Sequence, residues 1–254
     1  MSLPPLFISH GAPDVLTVPS PAHTALRGLG LADGTRAVLV VSAHWEADPV
    51  RVQTAATPET IHDFRGFGPA LDRAVYAAPG SPSLAARTLT LLREAGIEAE
   101  AERRRGRDHG AWVPLALMRP EADIPVFQVS LPGSDAGAIA LGRAIAPLAS
   151  EGVQIIGSGS LTHSLAASLR EAEDAPPHPD AKAFRDALVD GIATGRADAL
   201  AGWTEAPRAA FNHPTPEHFR PLLTAMAASH GTGGELLHHS WSRGALAMDI
   251  WRFD

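Results

Sequence analysis

The 254-residue chain contains no cysteine and a single lysine, Lys182. Without thiols, disulfides, iron–sulfur clusters, thiolate zinc sites and cysteine nucleophiles are excluded. Any bound metal must therefore use imidazole, carboxylate or water. Lys182 lies in an amphipathic helical pattern, which argues against lysine-nucleophile or Schiff-base chemistry. Basic residues are outnumbered by acidic ones, with a net charge of −7. That balance supplies no basic face, so neither nucleic acid nor an anionic membrane is expected as a partner. No stretch approaches the roughly 18 apolar residues of a membrane span, and no signal-peptide pattern opens the chain, so a cytoplasmic location is expected.

Hydrophobic residues make up 45% of the chain, enough to bury the core of one α/β domain over residues 1–254. Short Val-, Ile- and Leu-rich runs predict strands at Leu6–Ser9, Ala37–Ser42, Val50–Thr54, Ile124–Leu131 and Val153–Gly157. Helical patterns intervene at about 82–95, 135–149, 180–193 and 216–229. The alternation predicts a mostly parallel or mixed central sheet with helices on both faces. Leu236–Ser240 and Ala245–Phe253 read as a closing antiparallel hairpin turning near Ser242-Arg243-Gly244. The long segments 55–81 and 103–112, rich in His, Phe, Trp and Arg, read as loops that carry function.

Twelve histidines are present, and several occupy a recurrent position. His10 follows the first strand in Ser9-His10-Gly11-Ala12-Pro13, and His44 follows the second in Ser42-Ala43-His44-Trp45. More loosely, His163 follows the strand beginning at Val153. Open α/β sheets bind ligands at the carboxyl ends of their parallel strands, so these imidazoles can meet although far apart in sequence. A lone strand-end histidine is as well explained by packing, whereas a repeated one points to a metal site. His109, beside Asp108, precedes an apolar helix start, where Asp108 either caps the helix or accepts a proton from an imidazole. His218 lies in the first turn of a helix opened by Pro216, with His213 and Glu217 as competing ligands. His62 sits in an aromatic loop, in contact with substrate or serving structure only. Arg65 and Arg107 are candidates for a substrate carboxylate, although surface arginine is the commoner explanation. Gly157-Ser158-Gly159-Ser160-Leu161 lacks the spacing of a serine-hydrolase elbow, and Gly28-Leu29-Gly30 that of a dinucleotide loop.

The motifs Ser9-His10-Gly11-Ala12-Pro13, Val41-Ser42-Ala43-His44-Trp45, Ile61-His62-Asp63-Phe64-Arg65-Gly66-Phe67, Asp108-His109-Gly110-Ala111-Trp112 and His213-Pro214-Thr215-Pro216-Glu217-His218-Phe219 occur in this order along nearly the whole chain. Together they closely resemble the class III extradiol ring-cleavage dioxygenases, in the 4,5-DOPA extradiol dioxygenase-like branch of the protocatechuate 4,5-dioxygenase β-subunit superfamily. The resemblance implies a metal site of His10, His44 and His218, with His163 as a fourth ligand or as the base beside the metal. It implies that His109 contacts substrate and dioxygen; His62 and Trp45 are further expected substrate contacts. The protocatechuate branch uses two histidines and a glutamate, so Glu217 stands as an alternative to His218.

The activity implied is extradiol cleavage of a catechol by dioxygen to a muconic semialdehyde-type product. Ferrous iron is the metal expected for activity, and zinc its competitor for the same imidazole-rich site. Monomers or small homo-oligomers are expected. The competing function classes are a zinc-dependent hydrolase and a non-enzymatic metal-binding protein on the same fold.

Overall fold

The computed structural model describes residues 2–254. Among the described residues ten strands form: β1 (Leu6–Ser9), β2 (Ala37–Ser42), β3 (Val50–Gln53), β4 (Ala99–Glu102), β5 (Val126–Gln128), β6 (Val153–Gly159), β7 (Gly234–His238), β8 (Trp241–Ser242), β9 (Leu246–Ala247) and β10 (Ile250–Phe253). Six of them make the central sheet, in the order β5-β2-β6-β1-β10-β7. The first four of these run parallel, while β10 lies antiparallel to both β1 and β7. The expected mixed sheet is therefore present, with β5 and β7 at its two edges.

Alternation explains why these strands read as unbroken apolar runs. Ala37, Leu39 and Val41 of β2 enter one core, and Val38 and Val40 enter the other. In β1, Phe7 joins the first core and Leu6 and Ile8 the second. Successive side chains point to opposite faces, and both faces are covered, so every position of β1 and β2 is buried. The first core is roofed by the helices Pro82–Glu94, Asp135–Ile145, Pro179–Ala193 and Arg220–Ala227. Pro21–Leu29 and His109–Met118 cover the second, which contains Leu26 and the fully buried Trp112.

Four boundaries differ from the sequence reading. β3 leaves the main sheet and pairs with β4, a strand whose sequence, Ala99-Glu100-Ala101-Glu102, lacks the β-branched residues that advertise one. The run Ile124–Leu131 is regular strand only over β5, because Val129 and Leu131 bridge instead to Val52 and Glu46. Pro147 divides the expected helix 135–149, since its ring cannot continue the hydrogen-bond ladder. The helix expected from residue 216 begins at Arg220, leaving His218 in the turn before it. The closing hairpin forms as β7 to β10, with its turn at Arg243 and Gly244. No helix among the described residues is long and apolar enough to cross a membrane.

Candidate metal centre

The strands β2, β6 and β1 are adjacent and parallel, so their carboxyl ends open on one edge of the sheet. His10 leaves β1 at that edge, and its N–H donates to the Gly159 carbonyl at the end of β6. His44 leaves β2 by a tight turn in which its N–H donates to Ser42 Oγ. His218 is brought to the same place by glycines in β6. A Cβ at Gly159 would lie 2.2 Å from the His218 carbonyl oxygen, and one at Gly157 would lie 2.1 Å from the Pro221 carbonyl oxygen. Only bare backbone allows the turn to rest on the strand this closely. The Ser160 N–H then donates to the His218 carbonyl at 2.9 Å and fixes the turn in place.

His10, His44 and His218 each offer one ring nitrogen within 4.8 Å of the other two. Their protons are assigned from their partners. Ser158 Oγ donates to the Gly110 carbonyl and so accepts from His10 Nδ1, at 2.9 Å. That leaves a lone pair on His10 Nε2, which lies 3.1 Å from His44 Nε2. His218 Nδ1 donates to Glu217 Oε1 at 2.9 Å, while its Nε2 is buried with no protein partner. Burial holds His10 and His218 neutral, and the crowding of neighbouring imidazoles reinforces it. Burial likewise lowers His44 to about 4, against a smaller opposing pull from Asp108, Asp63 and Glu217. Three neutral imidazoles with a partnerless buried nitrogen among them fit a divalent transition metal.

Around this triad lie two further histidines. The His163 ring stacks on His218, with centroids 3.4 Å apart and an 11° interplanar angle. It groups with Glu217 and His218 rather than with His10 and His44. Burial lowers its pKa to about 4. His109 opens the helix His109–Met118, and its Nδ1 donates to Asp63 Oδ1 at 2.9 Å. Asp63 also accepts the His109 backbone N–H at 3.1 Å, and hydrogen bonding from His109 holds its carboxyl down at about 2 against the opposing effect of burial. Glu217 sits on the Nδ1 edge of His218, held also by Thr215 Oγ1 at 3.0 Å, where it orients the ring.

Several expectations are corrected by these placements. His62 is exposed, and its Nε2 donates to the Ala74 carbonyl, outside the cavity lining. Trp45 is buried under Arg105, whose guanidinium lies 5.0 Å from the ring centroid, and it does not reach the cavity either. Asp108 occupies the cap position of its helix without a side-chain cap bond; its carboxylate takes Ser42 Oγ at 2.7 Å and Gln128 Nε2 at 2.8 Å. Arg107 is neither a surface residue nor a substrate ligand. It is fully buried, and its guanidinium donates to the carbonyls of Tyr76, Ala78, Pro79 and Val126. Asp63 was missed as a functional residue, although its place directly after His62 in a loop of aromatic residues was a usable signal.

A cavity of about 260 Å³ opens at the triad, and Phe64, Phe67, Leu165 and Leu169 are among the residues that line it. Residues 17–248 match the family of the catalytic LigB subunit of aromatic ring-opening dioxygenases. The chain belongs to this family. Within it, this LigB-family enzyme is 42% identical to a 4,5-DOPA dioxygenase extradiol of Beta vulgaris, over 97% of this chain and 95% of that one. Against the protein of the same name from Escherichia coli K12 the identity is 35%, over 90% and 86% of the two chains. The crystal structure of an uncharacterized protein from Escherichia coli K12 superposes with a TM-score of 0.81 at 30% identity, covering 99% of this chain and all of the other. These relatives place the enzyme in the class III extradiol branch, whose members act on small aromatic molecules with dioxygen.

Proposed function

We propose that this LigB-family enzyme cleaves the ring of a catechol beside its two hydroxyls, giving a muconic semialdehyde-type product. The observation that carries the reading is the convergence of His10, His44 and His218 in the lining of a cavity that His163 and His109 also line. We assign the triad as metal ligands. Ferrous iron, when bound there, supplies a Lewis-acidic, redox-active centre with open positions that bring catechol and dioxygen together. Both oxygen atoms enter the product, so no external reductant is needed.

The protein's own residues prepare the substrate. A catechol must shed a proton to bind through both oxygens, and a base must be unprotonated beforehand to take it. His163, lowered to about 4 by burial, is unprotonated at neutral pH and lines the cavity. It is assigned as that base and not as a fourth ligand. His109 commits Nδ1 to Asp63, which leaves Nε2 as the free nitrogen on the cavity side. The carboxylate fixes the ring's tautomer and orientation, so His109 can hydrogen-bond substrate without rotating away. Phe64 and Phe67, half-buried in the cavity lining, shield the reacting groups from water.

The test is anaerobic loading of the apo-protein with ferrous iron, followed by oxygen uptake and absorbance spectra with catechol, DOPA and protocatechuate. Uptake matched to a yellow ring-opened product is expected. His10→Ala and His44→Ala each lose stoichiometric metal while keeping the fold, whereas His163→Ala loses more turnover than metal. No uptake at verified iron occupancy refutes the dioxygenase reading and favours hydrolysis or a purely structural metal.

A further inference from the structure

Two of the three triad histidines have their outer nitrogen bonded to the protein, and the third does not. His10 Nδ1 is held by Ser158 Oγ and His218 Nδ1 by Glu217 Oε1, each at 2.9 Å. His44 turns Nε2 toward His10, and among the described residues its Nδ1 makes no hydrogen bond. A histidine that gives one nitrogen to a metal almost always donates from the other, and that bond fixes its tautomer and orientation. Among the described residues, the single carboxylate within 4 Å of His44 Nδ1 is that of Asp63, whose Oδ2 lies 3.8 Å away.

Main-chain pairing delivers Asp63 to this point. The Ile61 N–H donates to the Arg107 carbonyl at 2.7 Å, and the Ile61 carbonyl accepts from Trp112 Nε1 at 2.9 Å. Two residues on, Asp63 Oδ1 accepts both the backbone N–H and the Nδ1–H of His109. Oδ2 is left on the side of His44, whose ring centroid is 4.0 Å from that of His109. His44, Asp63 and His109 each place a ligand atom within 4.8 Å of the other two, but two donors already occupy Oδ1, so the cluster reads as a hydrogen-bonded group and not as a second cation site. Asp63 does not line the cavity, so any effect on substrate passes through the histidines.

We infer that Asp63 is a positioning residue shared by two histidines: Oδ1 orients His109 toward substrate, and Oδ2 holds the His44 Nδ1–H and so presents His44 Nε2 to the metal. The inference rests on the assignment of His44 as a ligand. Asp63→Asn is its sharpest perturbation, because the side chain keeps its shape. The two His109 N–H groups retain the amide oxygen, which turns the amide NH2 toward His44 Nδ1. Two donors then face each other, and His44 is driven to the tautomer protonated on Nε2, which cannot ligate. The Asp63 side chain is 25% exposed, so the substitution leaves no buried charge unpaired.

The test is calorimetric titration of the apo-protein with zinc, in the parent and in Asp63→Asn, Asp63→Glu, His109→Gln and His44→Ala, with circular dichroism and Tm as controls on the fold. Zinc affinity is expected to fall by about 10–100-fold in Asp63→Asn. It is expected to stay near the parent value in His109→Gln, and Asp63→Glu, which keeps the charge, is expected to bind more tightly than Asp63→Asn. A folded Asp63→Asn protein with parental zinc affinity overturns the inference, since Asp63 would then serve His109 alone. Equal weakening in His109→Gln also overturns it, because the loss would then come through His109 and not through His44. Both results leave the triad standing. If His44→Ala itself binds zinc like the parent, the ligand assignment falls and the inference with it. Nitrogen-15 spectra of the zinc-loaded parent give a check that needs no variant and decides the matter if the substituted proteins fail to fold. His44 is expected to ligate through Nε2 with its Nδ1–H protected from exchange with water; ligation through Nδ1, or an Nδ1–H that exchanges freely, overturns the inference.

Discussion

Gly159→Ala tests whether the close contact between β6 and the His218 turn sets the metal geometry. The added Cβ would lie 2.2 Å from the His218 carbonyl oxygen, against an ordinary approach of about 3.5 Å. The turn, the strand or both must therefore move by about 1 Å. The His218 carbonyl is also the acceptor for Ser160 N–H, so this shift lengthens a bond that positions His218. Overpacking of this kind costs about 1–3 kcal/mol. For a domain of this size that lowers Tm by about 2–12 °C. Misplacing a reacting or binding group by about 1 Å costs on the order of 100-fold in function. Metal affinity by calorimetry and turnover of the iron-loaded enzyme are thus expected to fall further than the modest loss of Tm suggests. Gly28→Ala is the control: nothing lies within 4 Å of its added Cβ, and it sits in the helix Pro21–Leu29. It is expected to raise stability by about 0.5–1 kcal/mol with unchanged metal binding. A Gly159→Ala protein that binds metal and melts like the parent would refute the argument.

Acid stability offers a second check, on the metal-free protein. Burial lowers His213 from 6.5 to about 4, so between these values the unfolded chain binds a proton that the folded chain refuses. The His213 contribution is nil above pH 6.5, grows as pH drops towards 4, and reaches about 3 kcal/mol of lost stability below that, in addition to what the other buried histidines lose. Urea midpoints should fall with pH across this range, and His213→Gln should make the fall shallower by the His213 share; an equal slope in the variant excludes His213 as a contributor. Elsewhere, Asp249 is fully buried and accepts from Arg185 Nε at 2.9 Å and from His239 Nδ1 at 2.5 Å. Asp249→Ala strands the Arg185 charge and should cost about 3–5 kcal/mol by denaturant titration. A loss under about 1 kcal/mol would show that water replaces the carboxylate.

The legible part of the site was the part written as strand ends. His10 and His44 stand just past the ends of β1 and β2, and parallel neighbours put such positions on one edge. His218 was legible as a residue but not as a geometry. Its position depends on Gly157 and Gly159 resting against the backbone of a turn more than fifty residues on, and neither turn nor helix propensity encodes that contact. His62 and Trp45 misled because aromatic character marks packing as readily as substrate contact. β4 was hidden by its alternating Ala and Glu, which pair with β3 through the main chain. Arg107 was hidden because a buried guanidinium satisfied by carbonyls has no charged partner to reveal it in sequence.

That arginine has a consequence for how freely this protein can change. Its guanidinium grips main-chain oxygens of Tyr76, Ala78 and Pro79, and its own backbone exchanges hydrogen bonds with Glu59 and Ile61. The path of the loop 55–81 is thus set by atoms every residue possesses. Side chains displayed along it, Phe64 and Phe67 among them, can drift or be redesigned while the course of the loop is kept. One rim of the catalytic mouth is in effect an interchangeable faceplate on a fixed bracket, a place where new aromatic substrates can be tried without risking the fold.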